Sequence, residues 1–408
     1  MTAAALGAPL SWARRRDSFR IVSWRNPAPS PYTLGMSAWA LILSAAAAWG
    51  LDGSLNLHNH TYCSDGSDTP EAFIELANRS GVRVVAVTDH DTVACVERAV
   101  AAGRKAGIRV VAGIELSVED DSMHILGLNI DPGSPRLSAL MDKNRKARLD
   151  RAREMIAKLN TLTTQDGVPI QLALREVLLL KVNTARKAEG KGPVASTAGE
   201  ETLLAEAGPI TRPDLAFAMV AKGYVRDTRA AFDRYLGDEA GAAAELDGPD
   251  FASAIAAIHA AGGIAVLAHP YTIYKYKERP YSFSGKSYRD FDALLSDLLA
   301  AGLDGIEQYK ANRGPADFIV AHARAFGAKA GRRVLLTPGS DYHGSSGAGQ
   351  PHFDAIPIPD DMARSILDAF GGKAGADSPV RAPVLAGDGE RVESVIRDRL
   401  RAVEFDRR

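Results

Sequence analysis

Residues 55–91 read LNLHNHTYCSDGSDTPEAFIELANRSGVRVVAVTDHD, and the order of pieces within them decides the fold class. Leu55 to His58 is a short strand that ends in polar residues. Thr69-Pro70-Glu71 opens a helix, with Thr69 as cap and Pro70 at the first helical position, where no backbone N–H is needed. This helix runs to about Arg79 and stops at Gly81. Val82–Val87, VRVVAV, is a continuous apolar run of the kind buried on both faces. Strand, helix and strand in this order predict an α/β domain with parallel strands.

The same alternation extends outward. A helix is predicted over Thr92–Ala106, ended by Gly107, followed by strands over Ile108–Leu116 and Met123–Ile130. From Ser134 to Pro249 the pattern changes to helices: a long charged one over Arg136–Thr161, then Leu172–Leu180, Arg212–Lys222 and Thr228–Leu236. Lys181–Pro209, rich in Gly, Ala, Glu and Lys, reads as a loop or poorly ordered insert. Alternation resumes with helices over Phe251–Ala261, Phe291–Ala301 and Pro315–Ala330 and strands over Ile264–Ala268, Asp304–Gln308 and Val334–Thr337. A weaker helix over Val392–Val403 closes the chain, and no internal repeat is visible. The expected divisions are an N-terminal extension 1–53, a first barrel part 54–133, a helical insertion 134–249, a second barrel part 250–371 and a tail 372–408.

The extension stands apart. Arg14, Arg15, Arg16, Arg20 and Arg25 precede Met36–Leu51, MSAWALILSAAAAWGL, sixteen residues without a charge. A membrane-spanning helix wants about twenty. Three readings stay open: a start artefact with translation beginning at Met36, a signal or anchor, or a packed helix. A cytoplasmic location is the expectation. Two cysteines, Cys63 and Cys95, are too few for a disulfide-built scaffold and fit a reducing compartment. Lys plus Arg number 49 against 50 Asp plus Glu, a net charge of −1, so no strongly basic nucleic-acid coat is present. A nucleotide substrate needs only a local positive site.

Chemistry gathers where strands end. His58 and His60 follow the first strand, with Asp65 five residues on, and His90 follows VRVVAV. Glu115 ends the next strand, His124 opens the one after, His269 follows IAVLA, and Asp341 and His343 follow VLLTPGS. In parallel α/β folds the carboxyl ends of strands collect ligands and catalytic groups, so these residues converge on one face, His124 being the exception at a strand start. In His58-x-His60 both side chains lie on one side of extended backbone, and Asp341-x-His343 repeats the device. Imidazole and carboxylate donors suit manganese, zinc or iron. Nine such groups predict a multi-metal site, and two close divalent ions favour phosphoester hydrolysis. His259, His322 and His352 read as ordinary satisfied polar residues, and Cys63 as structural.

LHNHTYCSDGSDTPEAFIELA, VTDHDTV, GIELS, HILGLNID, AHP and GSDYH resemble the PHP (polymerase and histidinol phosphatase) superfamily. Within it they resemble the branch of nucleoside 3′,5′-bisphosphate phosphatases and RNase AM (TrpH-like) 5′→3′ exoribonucleases. The resemblance runs from Leu55 to Gly344 and includes ITRPDLAFAMVAKGYV and AAFDRYLG in the insertion. It implies a distorted (β/α)7 barrel with a helical insertion and a trinuclear site, often manganese, with zinc or iron as alternatives. His58, His60, Glu115 and Asp341 would hold one ion, Asp65, His90 and His343 a second, and Glu115, His124 and His269 a third. Arg148 and Arg151 in RLDRA, and Arg212, would clamp a non-reacting phosphate. Asp214 departs from the family, which commonly has histidine there, and the 181–209 and 271–288 segments are long. Tyr274, Lys275, Tyr276 and Lys277 alternate aromatic and basic side chains, either a base-stacking strip or an exposed loop.

The expected activity is a metal-dependent phosphohydrolase acting on nucleoside 3′,5′-bisphosphates, short 5′-phosphorylated RNA, or both. Its partner is then a small nucleotide or short RNA, without double-stranded nucleic acid or an obligate protein. The alternatives are a phosphatase for another small ester such as histidinol phosphate, and a non-catalytic metal- or nucleotide-binding regulatory module.

Overall fold

The structure, a computed structural model, describes residues 55–119, 121–276, 280–309, 334–344 and 360–372, with 325, 327–328, 331 and 353 as isolated positions. All of these lie in one unit, 51–408. The expected segment 36–51, the helix 392–403 and most of the helix 315–330 fall outside the described residues, as do His322 and His352. No described helix is long and apolar enough to cross a membrane.

Seven strands form the sheet: β1 (Leu55–Asn56), β2 (Val84–Val87), β3 (Arg109–Val118), β4 (Met123–Leu128), β5 (Ile264–Leu267), β8 (Gly305–Tyr309) and β9 (Leu335–Gly339), hydrogen-bonded in that order. The two outer strands also meet. Leu57 N donates to Pro338 O at 2.8 Å, Asp341 N to His58 O at 3.0 Å and His60 N to Tyr342 O at 2.7 Å. These bonds bring β1 against β9 and nearly close a barrel, which removes the exposed sheet edges. The small hairpin of β6 (Tyr281–Phe283) and β7 (Lys286–Tyr288) stands apart from the sheet.

One strand runs against expectation. β4 is antiparallel to both β3 and β5, whereas every other pairing in the sheet is parallel. The reason is the connection. Only residues 119–122 separate β3 from β4, and a parallel neighbour needs a crossover of about a dozen residues or more. Glu119 at φ 56° and Asp121 at φ 71° make that turn. The reversal puts the start of β4, and therefore His124, at the end of the barrel where β2 and β3 finish.

Side-chain alternation then builds the site on a hydrophobic floor. Val84 and Ala86, Val111, and Leu128 and Leu126 belong to one buried cluster that also takes in Ile264, Val266 and, from the helix α11 (Asp360–Gly372), Ile366 and Phe370. Continuing each row two residues at a time leads from Ala86 to His90, from Val111 to Glu115 and from Leu126 to His124. The barrel is apolar at one end and polar at the other for this reason. A second cluster lies outside the sheet under α8 (Phe251–Ala260) and α10 (Phe291–Ala300), and a third under α1 (Pro70–Arg79) and α2 (Val96–Ala106). Helix α1 starts as its sequence dictates: Thr69 accepts from Ala72 N, and Pro70 follows.

Between β4 and α8 the chain is helical: α3 (Pro135–Leu159), α4 (Leu174–Ala188), α5 (Glu200–Ala207), α6 (Arg212–Ala221), the single turn α7 (Thr228–Ala231) and a π-helical turn over Phe232–Leu236. They share their own core, including Met155, Leu178, Leu203, Leu215 and Leu236. The loop expected over 181–209 is corrected here, because α4 extends to Ala188 and α5 occupies 200–207. The Ala, Glu and Lys content that suggested a loop is also good helix composition, and Leu203 and Ala207 bury α5. Helix α9 (Pro270–Tyr276) follows His269.

Candidate metal centre

His58, His60 and Asp65 sit on the loop after β1. Asp89 braces that loop: it accepts from Thr61 N at 2.7 Å, Thr61 Oγ1 at 2.7 Å and Ser64 Oγ at 2.8 Å. Gly66 must be glycine, since a Cβ there would lie 2.6 Å from His60 O. His90 follows β2 and bridges to Glu115 on β3. Asp341, at φ 53°, and His343 follow β9.

All nine expected donors come together around Glu115, which is fully buried. Its Oε2 lies 3.1 Å from His58 Nε2, 3.2 Å from His60 Nε2 and 3.2 Å from His90 Nδ1. Its Oε1 lies 2.9 Å from His124 Nδ1 and 3.0 Å from His269 Nε2. Asp341 Oδ1 is 3.3 Å from His58 Nε2 and 3.2 Å from His60 Nε2. Asp65 is 3.8 Å from both His60 and His90, and 3.5 Å from His343 Nε2. Three groups drawn from these nine donors have donor atoms within 4.8 Å of one another: His58, His60, Glu115 and Asp341; His60, Asp65, His90 and His343; and His90, Glu115 and His124.

Electrostatics call for positive charge here. Burial lowers the His60 imidazole, but Asp341 and Glu115 outweigh it and push the group up to about 10. Against the same burial, Glu115 and Asp121 push His124 up to about 10, and Glu307, Glu115 and Asp341 raise His58. Burial raises Glu115 and Asp341, but surrounding imidazoles hold both carboxyls well below their usual range. His90 goes down, chiefly through burial. His90 Nδ1 and Glu115 Oε2 are buried and have no hydrogen-bond partner. A buried polar atom left unpaired is costly. Facing lone pairs of imidazole nitrogen and carboxylate oxygen are what a divalent ion of the manganese, zinc or iron kind coordinates. The residues therefore fit such ions.

Several supporting residues were not singled out in the sequence. Glu307 on β8 contacts His58 Nδ1 at 2.9 Å. Asp121 lies 3.1 Å from His124 Nε2. Lys181 on α4 donates to Ser64 O at 2.6 Å and to Asp214 Oδ2 at 2.8 Å. The available signals were an acid inside the apolar strand GIEQY and an acid in a tight turn beside a histidine. His259 is satisfied by Asp304 at 2.8 Å, as expected of an ordinary polar histidine.

Cys63 and Cys95 form a disulfide. The expectation of a structural Cys63 named no partner for it, and the structure supplies Cys95, 32 residues on. The bond ties the loop that carries Asp65 to the start of α2. Removing such a cross-link typically costs about 2–4 kcal/mol, through the freedom it restores to the unfolded chain. Cys95→Ser is expected to lose stability of that size in urea unfolding, measured against non-reduced wild type. An unchanged midpoint would show that the thiols are not joined in solution.

The three arginines converge on Asp121. Its Oδ2 lies 2.8 Å from Arg151 Nη1 and 3.7 Å from Arg212 Nη2, and its Oδ1 lies 3.7 Å from Arg148 Nη2. Arg148 also donates to Asp91 Oδ2 and to Ser117 Oγ, both at 2.6 Å. Arg148 and Arg151 are buried, so neither belongs to a solvated helix face, while the Arg212 side chain is 25 % exposed. Asp214 is not a competitor for Arg212: it caps α6 through Thr211 N at 2.7 Å and pairs with Lys181. Arg212 instead reaches the exposed Asp238 at 2.6 Å. Of the Tyr274–Lys277 strip, Lys277 lies outside the described residues.

The PHP domain profile matches residues 56–183. A 5′-3′ exoribonuclease of Haemophilus influenzae is 33% identical over 254 residues, 62% of this chain and 77% of that protein. The chain belongs to the PHP-domain family. Other relatives diverge in their named activities. A phosphoribosyl 1,2-cyclic phosphate 1,2-diphosphodiesterase of Eggerthella lenta is 29% identical, covering 72% of this chain and 95% of that protein. A 3′,5′-nucleoside bisphosphate phosphatase of Chromobacterium violaceum is 29% identical, covering 74% and 93%. Among solved structures, a protein from Bifidobacterium adolescentis classed with the metal-dependent phosphoesterases superposes with a TM-score of 0.60 at 27% identity, over 77% of this chain and 96% of that one. The seven-stranded barrel is thus a PHP barrel, and the chain is a metal-dependent phosphoesterase.

Proposed function

We propose that this PHP phosphoesterase removes phosphate or nucleotides from nucleoside 3′,5′-bisphosphates, short 5′-phosphorylated RNA, or both. One observation carries the substrate class. Arg212, partly exposed, approaches Asp121, which touches His124, which touches Glu115, so a cationic side chain stands close beside the donor cluster. A substrate with a second, non-reacting phosphate needs such a partner.

The nine donors would hold about two or three divalent ions, manganese foremost, and bound ions of this kind generate hydroxide near neutral pH and neutralise charge on the reacting phosphate. The protein's own residues orient and bind. Arg212, the first residue of α6, offers the guanidinium that a non-reacting phosphate would pair with. Arg148 and Arg151 act at one remove, by fixing Asp121 and through it His124. A net charge of −1 supports a small nucleotide or short RNA over a long duplex.

The test is a substrate panel with added manganese: nucleoside 3′,5′-bisphosphates, mononucleotides, short 5′-phosphorylated RNA and a cyclic phosphoribosyl phosphate. The reading expects the highest kcat/KM on the bisphosphates or RNA. A clear preference for the cyclic ester or for mononucleotides would contradict it. With an aryl phosphate added to the panel, Arg212→Ala should lose a charge-assisted contact of about 1.5–3 kcal/mol, or roughly 10–150-fold in kcat/KM, on a bisphosphate. An aryl phosphate, which has no second phosphate, should lose little. Equal losses on both would remove the clamp assignment.

A further inference from the structure

Glu307 sits at the centre of three independent constraints. It is fully buried on β8. Its Oε1 lies 2.9 Å from His58 Nδ1, and its Oε2 accepts from the backbone N of His269 at 2.6 Å. Its neighbour on β9 gives it room: a Cβ on Gly339 would lie 1.7 Å from Glu307 Oε1 and 2.7 Å from His58 Cβ. The two residues it holds come from different strands, and both turn their Nε2 atoms to Glu115, at 3.1 Å for His58 and 3.0 Å for His269.

We infer that Glu307 is a positioning residue that orients His58 and His269 together for ion binding. A carboxylate at Nδ1 makes that nitrogen the N–H of the neutral ring. The proton is thereby kept off Nε2, whose lone pair stays directed at Glu115, Asp341 and His60. The second oxygen acts on the backbone. His269 has φ of 26°, a conformation non-glycine residues seldom take, and the bond from its N–H to Glu307 fixes it. One side chain therefore sets the tautomer of one donor and the backbone of another. Gly339 is part of the same device, since any side chain there would displace the carboxylate.

The inference rests on the metal-centre reading, so its test measures ion affinity with no substrate present. Manganese is titrated into chelator-stripped wild type, Glu307→Gln, Gly339→Ala and the double variant, and the Tm of each is recorded. Glutamine keeps the shape and one acceptor but turns an amide N–H₂ toward the His58 or His269 donor. Loss of such an outer partner typically weakens metal binding about 10–100-fold. Glu307→Gln is expected to raise the manganese Kd by that factor with Tm close to wild type. Gly339→Ala should raise it similarly, and the double variant should be no worse than the weaker single one, because both remove the same contact. A wild-type Kd in Glu307→Gln would overturn the assignment, whether or not Tm falls. So would fully additive losses in the double variant. Stripped wild type that takes up no ion would overturn the metal centre itself, a result distinct from failure of the variants alone.

Discussion

Glu115→Gln is expected to lower kcat/KM for phosphate release by at least about 10³-fold, while the protein still folds. Glu115 reaches five imidazoles: His58, His60 and His90 from Oε2, and His124 and His269 from Oε1. Two of the three donor groups include it. Glutamine is nearly isosteric but neutral, and its amide end replaces one acceptor with a donor. Ion stabilisation of a reacting phosphate is worth several kcal/mol, and each 1.36 kcal/mol is tenfold in rate. The measurement is kcat/KM under saturating manganese, with metal content per chain beside it. Activity within tenfold of wild type would mean that Glu115 does not hold an ion.

Arg148→Met should destabilise the fold by about 3–5 kcal/mol, the usual result of removing one member of a buried pair and leaving the other charge uncompensated. Arg148 is 2 % exposed and Asp91 is 0 % exposed. Asp91 would keep Asn144 Nδ2 at 2.5 Å and Ser117 N at 3.1 Å, but would lose the guanidinium that pairs with it at 2.6 Å. Asp121 would lose one of its three guanidinium neighbours. Methionine retains volume, so the effect isolates charge from packing. Urea unfolding with and without the substitution reads it directly, and a loss under about 1 kcal/mol would place Arg148 outside the framework described, leaving it free for substrate.

Much of the centre was legible because its chemistry stands at strand ends. His58, Glu115 and Asp341 are separated by dozens of residues, yet each follows an apolar run, and parallel packing alone gathers such positions. His124 did not fit that rule, since it opens its strand. The four residues between β3 and β4 held the answer: a connection that short forces a hairpin, and the hairpin carries His124 to the same end of the barrel. Lys181–Pro209 was misread because Ala, Glu and Lys serve exposed helix and loop alike, and only the burial of Leu203 and Ala207 separates them. Glu307 and Asp121 were missed for a different reason. Their role depends on which side chain lies across the barrel, and no periodicity encodes that. The Cys63–Cys95 pairing is of the same kind.

The central claim is that the nine donors at the barrel mouth hold divalent ions on which phosphate release depends. Elemental analysis of protein purified without chelators, paired with phosphate release before and after chelation, tests it most directly. The account predicts about two or three divalent transition-metal ions per chain, loss of metal and hydrolysis together on chelation, and return of both with manganese. Protein that carries no such metal and hydrolyses phosphate esters equally well after exhaustive chelation would contradict it.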